Sequence, residues 1–134
     1  MTLIDAGPLV ALLHRGDQSH ERCVAVMRSL APPLGTAWPV VTDAMHLLGF
    51  SWEAQDGLWA LINSGRLRLI GLDTPDVPRM RALMRKYRDL PMDLADAALV
   101  AVAERERITR IFTLDRRDFA VYRLPRLGRF SIVP

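Results

Sequence analysis

A chain of 134 residues, half of them hydrophobic and a quarter charged, has the length of one globular domain, expected to span residues 1–134. That balance excludes a disordered tail and a fibre, and a lone cysteine, Cys23, excludes an internal disulfide and a Cys-rich zinc site. The net charge of +3 is uneven: residues 1–78 carry eight acids against five arginines, while residues 79–134 carry seven acids against thirteen basic residues. The basic part would suit a polyanionic partner such as nucleic acid, although seventeen arginines among eighteen basic residues also fit a compositional bias.

In chain order, Leu3-Ile4-Asp5 reads as a short first strand. Pro8 marks a helix start, followed by the apolar stripe Leu9, Val10, Leu12 and Leu13. Asp17 to Leu30 reads as a second helix, broken by Pro32-Pro33, and Gly35 to Trp38 as a short strand. Helices are expected over Val40 to Phe50 and Trp52 to Asn63, the latter stopped by Ser64-Gly65. Arg66 to Ile70 alternates as a strand does. Pro75 to Arg88 forms a basic amphipathic helix, and Asp93 to Arg105 an Ala-rich buried one. Arg110 to Leu114 is a strand, and Gly128 to Val133 an edge strand. Short β-rich runs alternating with helices give an α/β fold with a mainly parallel sheet. The longest uncharged stretch, Ser29 to Thr42, contains three prolines and is too short to span a membrane. The first residues show no basic segment before an apolar core, so a secretory leader is not expected and a cytoplasmic protein is.

Four aspartates draw attention by position. Asp5 and Asp115 each follow a strand, and open parallel sheets place their sites beyond the carboxyl ends of strands. Asp96 lies in the first turn of its helix, where side chains tilt toward the helix start. Asp43 lies near the start of the helix after Pro39. Aspartate is also an ordinary cap and turn residue, and each acid alone has that simpler explanation. Brought together, such carboxylates would need a cation, and hard oxygen donors suit Mg²⁺ or Mn²⁺. An ion of that kind polarises a phosphodiester and activates water.

These residues sit in segments with a wider resemblance. Leu3-Ile4-Asp5-Ala6-Gly7-Pro8-Leu9-Val10-Ala11-Leu12, Pro39-Val40-Val41-Thr42-Asp43-Ala44, Met92-Asp93-Leu94-Ala95-Asp96-Ala97-Ala98-Leu99 and Ile111-Phe112-Thr113-Leu114-Asp115-Arg116-Arg117-Asp118-Phe119 resemble the motifs of PIN-domain proteins. The chain is similar, over Leu3 to about Val133, to the small VapC-type toxins of prokaryotic toxin–antitoxin pairs. The resemblance implies a three-layer α/β/α sandwich and a Mg²⁺-dependent endoribonuclease acting on RNA. It carries an acidic quartet onto Asp5, Asp43, Asp96 and Asp115, with Asp5 and Asp96 as the main metal ligands. It also implies a protein antitoxin and a homodimer. Two departures stand out: Asp43 occupies a place usually held by the longer glutamate, and Gly7 one where many relatives carry serine or threonine.

The remaining residues are read from their surroundings. Asp93 fits a helix cap, and Asp118 a solvated or capping residue. Thr113 could bond a water in the pocket or simply favour a strand. His14, His20 and His46 lack ligand spacing, and Cys23 reads as a small core residue. Trp38, Met45, Phe50, Trp52 and Trp59 suit either core packing or an exposed face for a second copy or a partner helix. Arg79, Arg81, Arg85, Lys86 and Arg88 suit either an RNA groove or a solvated face. A weakly active or inactive RNA-binding or partner-binding module is the alternative function. A phosphotransfer receiver or phosphatase fits less well: the only lysine, Lys86, lies in the basic helix, and Gly7 stands where a phosphatase presents a second aspartate.

Overall fold

A computed structural model describes residues 1–134. Its centre is a sheet of five parallel strands flanked by helices in a three-layer α/β/α arrangement. Strand β1 (Thr2–Ile4) lies in the middle and all three residues are buried. Strands β2 (Leu34–Thr36) and β3 (Leu67–Leu69) extend the sheet on one side, β4 (Arg110–Phe112) and β7 (Ser131–Val133) on the other. Leu3 sits between Gly35 and Ile111 in the ladder, so the register is set around an apolar row. The spatial order β3-β2-β1-β4-β7 reverses direction between β1 and β4. The carboxyl ends of those two strands flank a topological switch point, where open parallel sheets form their crevices.

Helix α1 (Ala6–Leu13) follows β1 directly. It starts two residues before Pro8, because Asp5 acts as its cap and accepts from the Ala6 N–H at 2.8 Å. Helix α2 (His20–Ser29) begins later than Asp17, which instead accepts from the Ser19 N–H at 2.8 Å in the preceding turn. Helix α3 runs Trp38–Leu47, so Asp43 is its sixth residue and lies mid-helix rather than near the start. Helix α4 (Trp52–Asn63) ends at Ser64, and Gly65 follows at φ 81°, a left-handed conformation that favours glycine. A single 3₁₀ turn, Thr74–Asp76, leads into α5 (Val77–Lys86). The Pro75–Arg88 helix is therefore shorter at both ends than its pattern suggests.

Helix α6 (Leu94–Glu106) starts at the cap Asp93, and from Ala95 to Ala103 every residue except Asp96 is buried. Its small alanines let other helices approach closely, and α3 and α5 both pack against it. Arg79 on α5 forks onto Glu104 of α6 at 2.7 and 2.6 Å, a paired contact that occupies the first arginine of the basic run.

The last thirty residues depart most from expectation. A six-residue helix α7 (Arg116–Val121) follows β4, and a small antiparallel pair joins β5 (Arg123–Leu124) to β6 (Gly128–Arg129). The segment Gly128 to Val133 is thus two strands rather than one: β6 closes the hairpin and β7 forms the sheet edge. Pairing across the hairpin turn, where Arg126 lies at φ 66° and Gly128 at φ 87°, separates them.

Candidate active site

The carboxyl edge of the sheet opens into a cavity of about 430 Å³ whose lining includes Asp5, Asp43, Asp96 and Asp115. Asp93 and Asp118 line it too, as do Gly7 and His46. Four elements deliver the acids. Asp5 ends β1, Asp115 follows β4 as the cap of α7, Asp43 projects from α3, and Asp96 from the first turn of α6. All four residues singled out in the sequence therefore border one space.

Hydrogen bonds set the orientation of every carboxylate of the quartet except Asp43. The buried Thr113 hydroxyl donates to Asp5 Oδ2 at 2.8 Å and accepts from the Asp115 N–H at 3.0 Å, linking the ends of the two switch-point strands. The Tyr122 hydroxyl donates to Asp96 Oδ2 at 3.0 Å. Tyr122 is fully buried, and its ring stands edge-on to Tyr87 at 5.0 Å and to Phe119 at 5.1 Å. Asp93 Oδ1 accepts from the Asp96 N–H at 2.8 Å and Asp115 Oδ1 from the Asp118 N–H at 3.2 Å. Asp43 is exposed, with no hydrogen-bond partner for its carboxylate.

Crowding and burial shift the acids in one direction. Burial raises the Asp5 carboxyl above its ordinary range, with the charges of Asp115 and Asp93 adding to it and the Thr113 hydrogen bond opposing. Burial, then the charges of Asp93 and Asp5, push Asp96 up to about 7 despite the bond from Tyr122. Burial raises Asp43 and Asp118 as well, with further contributions from Asp93 and Asp115 respectively. A cluster in this state binds protons, or a cation, more readily than isolated carboxylates do.

The donors are carboxylate oxygens, the set that suits Mg²⁺ or Mn²⁺. Asp96 Oδ1, Asp93 Oδ2 and Asp115 Oδ2 are free of hydrogen bonds and available as ligands. As placed, no three His, Cys, Asp or Glu side chains converge closely enough to hold one ion. Asp5, Asp93 and Asp115 each engage a backbone N–H at a helix start. The chemistry of the donors fits a divalent cation.

A family model of the PIN domain matches residues 2–124. The chain belongs to the PIN domain family. This PIN domain is similar to Ribonuclease VapC26 of Mycobacterium tuberculosis, with 29% identity over 142 residues, covering 98% of this chain and 99% of that protein. Its fold matches the crystal structure of Mycobacterium tuberculosis VapC20, described as a Sarcin-Ricin loop cleaving toxin. The TM-score is 0.75 at 18% identity, over 83% of this chain and 87% of that one. A toxin–antitoxin complex from Klebsiella pneumoniae matches with a TM-score of 0.72 at 20% identity, over 100% of this chain and 97% of that one.

Tyr122 and His46 were not legible as site residues of this PIN domain. Tyr122 is 26 residues from Asp96 in sequence and reaches it where the chain leaving α7 enters β5, which packs against α6. His46 lies three residues after Asp43 on α3, a helical spacing that turns both toward the cavity. That spacing was the one available signal.

Proposed function

We propose that this PIN domain, spanning residues 1–134, is a metal-dependent endoribonuclease that hydrolyses RNA phosphodiester bonds as the toxin of a toxin–antitoxin pair. The observation that carries the reading is the meeting of Asp5, Asp43, Asp96 and Asp115 around the β1–β4 switch point. Similarity to a ribonuclease over nearly the whole chain supports it.

Asp5 and Asp96 would be the main ligands of a Mg²⁺ or Mn²⁺ ion, with Asp43 and Asp115 completing its surroundings. Bound there, the ion would supply positive charge at the scissile phosphate and make water a better nucleophile. Thr113 holds the Asp5 carboxylate at the sheet edge, and Tyr122 holds Asp96 through one oxygen while leaving the other free. In their ionised form the clustered acids repel a bare phosphate, so substrate binding and metal binding are linked in this reading.

Exposed Trp38, Leu47, Phe50, Trp52 and Trp59 on and around α3 and α4 form the face proposed for a second copy and for the antitoxin. A cytoplasmic setting belongs to the same proposal; no helix is long and apolar enough to cross a membrane.

Cleavage of single-stranded and structured RNA with Mg²⁺, with Mn²⁺ and with chelator, beside Asp96→Asn, tests the proposal. Metal-dependent cutting that falls at least ~100-fold in the variant is expected, since even groups that only orient a metal ligand are worth 10–100-fold. Equal cutting by the variant would overturn the site. Exposed, unbonded Asp43 and the missing hydroxyl at Gly7 favour a second reading, a binding module that cuts poorly. Asp43→Glu in the same assay separates the two: a marked gain assigns the weakness to the short side chain.

A further inference from the structure

The largest cavity in the molecule lies away from the acids. It has a volume of about 760 Å³ and opens at the amino ends of β1 and β4, where Thr2 and Arg110 stand side by side in the ladder. Ile70 and Ile108 give it apolar walls, and Arg68, Arg107 and Arg110 supply three guanidinium groups. These arginines come from β3, the end of α6 and β4, so the sequence separates what the fold collects.

None of the three guanidinium groups has a hydrogen-bond or ion-pair partner in the chain. The ion pairs of the protein are Arg79–Glu104, Arg105–Asp76 and Arg105–Glu106. Glu106 is the one acid lining the cavity, and its carboxylate is engaged by Arg105 Nε at 3.4 Å. Arg105 is itself anchored, donating to Asp76 Oδ2 at 2.6 Å and to the Gly71 carbonyl at 2.7 Å. The one acid of the lining is thereby paired with Arg105, and the three lining arginines outnumber it. Arg107 also suits the negative end of the α6 dipole, but that accounts for neither Arg68 nor Arg110.

We propose that this cavity is a second, phosphate-binding site, sized for a nucleotide and separate from the acidic centre. Planar guanidiniums match phosphate oxygens in pairs, and the volume lies in the range of small-molecule sites. The phosphate anchors on Arg107 and Arg110, Arg68 contributes from the far wall, and the isoleucines cover the apolar faces of the sugar or base. The phosphate is that of a free mononucleotide or of a nucleotide within an RNA chain.

The test is calorimetric titration of the full chain in chelator with adenosine 5′-monophosphate, adenosine and inorganic phosphate. Polarisation of a labelled eight-nucleotide RNA runs in parallel. Wild type is compared with Arg107→Gln/Arg110→Gln and with the control Arg81→Gln/Arg85→Gln, which removes two exposed charges from α5. Thermal melting of each variant confirms that it folds. A free nucleotide as ligand predicts tighter binding of the monophosphate than of adenosine, lost ~10-fold or more only in the first variant, with RNA binding unchanged. An RNA phosphate as ligand predicts a similar loss of RNA affinity, again only in the first variant. The proposal is overturned if wild type binds none of the phosphate-bearing probes, if the first variant binds them as wild type does, or if both variants weaken equally.

Discussion

Asp96 shows how one side chain takes its properties from its neighbours. Its carboxyl is held at about 7 when folded, against 3.8 for the free side chain, by burial first and by Asp93 and Asp5 next. A group whose folded pKa is raised stabilises the fold fully below the unfolded value and loses that contribution as pH rises through the folded one. Unfolding in urea with chelator is therefore expected to show stability falling between pH 5 and pH 8. Asp96→Asn should flatten that slope, and a slope identical to wild type would show that other groups set it. Tyr122 acts on the same carboxylate in the opposite sense, its hydrogen bond favouring the charged form. It is a positioning residue, and burial and the charge of Asp96 keep its hydroxyl protonated and donating. Tyr122→Phe keeps the ring in its aromatic cluster while removing the donor. The Mg²⁺ concentration for half-maximal cleavage is expected to rise ~10–100-fold, with the rate at saturating metal changed less. An unchanged metal dependence would mean that Tyr122 only packs.

Helices α1 and α6 share a device: each begins at an aspartate that borders the acidic cavity, Asp5 and Asp93. Capping a helix and lining the cavity are thus done by the same side chains: the cap reading holds for Asp5, Asp93 and Asp115, whereas Asp43 and Asp96 cap nothing. Gly7 stands in the first turn of α1, beside the cavity. A Cβ there would meet Leu114 atoms at 3.7 Å or beyond, an ordinary contact, so a side chain can start there without displacing its neighbour. Gly7→Ser is expected to stabilise the protein by about 0.5 kcal/mol through helix propensity, read from urea unfolding. A loss of stability would show that the first turn is more tightly packed than its geometry indicates. The basic helix α5 resolves at this scale too. Arg79 is committed to Glu104, while Arg81, Arg85 and Lys86 remain exposed.

Across the whole molecule, charge is sorted by the direction of the strands. The carboxyl edge of the sheet gathers six aspartates around one cavity, and the amino edge gathers three arginines around another. Parallel pairing makes this possible, because every strand presents its same end to the same side. A further surface feature is apolar: Trp38 and Trp59 stand edge to face at 6.4 Å, and 51% and 44% of their surfaces are exposed. Exposed aromatic groups of this kind mark interaction surfaces. Trp38→Glu with Trp59→Glu is expected to turn the proposed homodimer into a monomer in sedimentation velocity, with the fold retained. A wild-type protein already monomeric at high concentration would reserve this face for the antitoxin alone.

Local chemistry by itself determined the strand cores, the helix α4 from Trp52 to Asn63, the buried character of α6 and the parallel α/β class. It also drew attention to Asp5, Asp96 and Asp115 through strand ends and a first helical turn, and to Asp43 through a helix start that the structure places five residues before it. Short elements escaped it. A six-residue helix and two-residue strands carry too few periodic positions, and α7, β5 and β6 exist because tertiary packing of Phe119, Tyr122, Leu124 and Phe130 holds them. Only the tertiary structure decided that Tyr122 reaches Asp96, that Thr113 bonds Asp5, and that Arg68, Arg107 and Arg110 border one space. The physical reason is sequence separation: contacts between residues dozens of positions apart depend on strand order, and strand order is set by the packing of the whole core rather than by any local run.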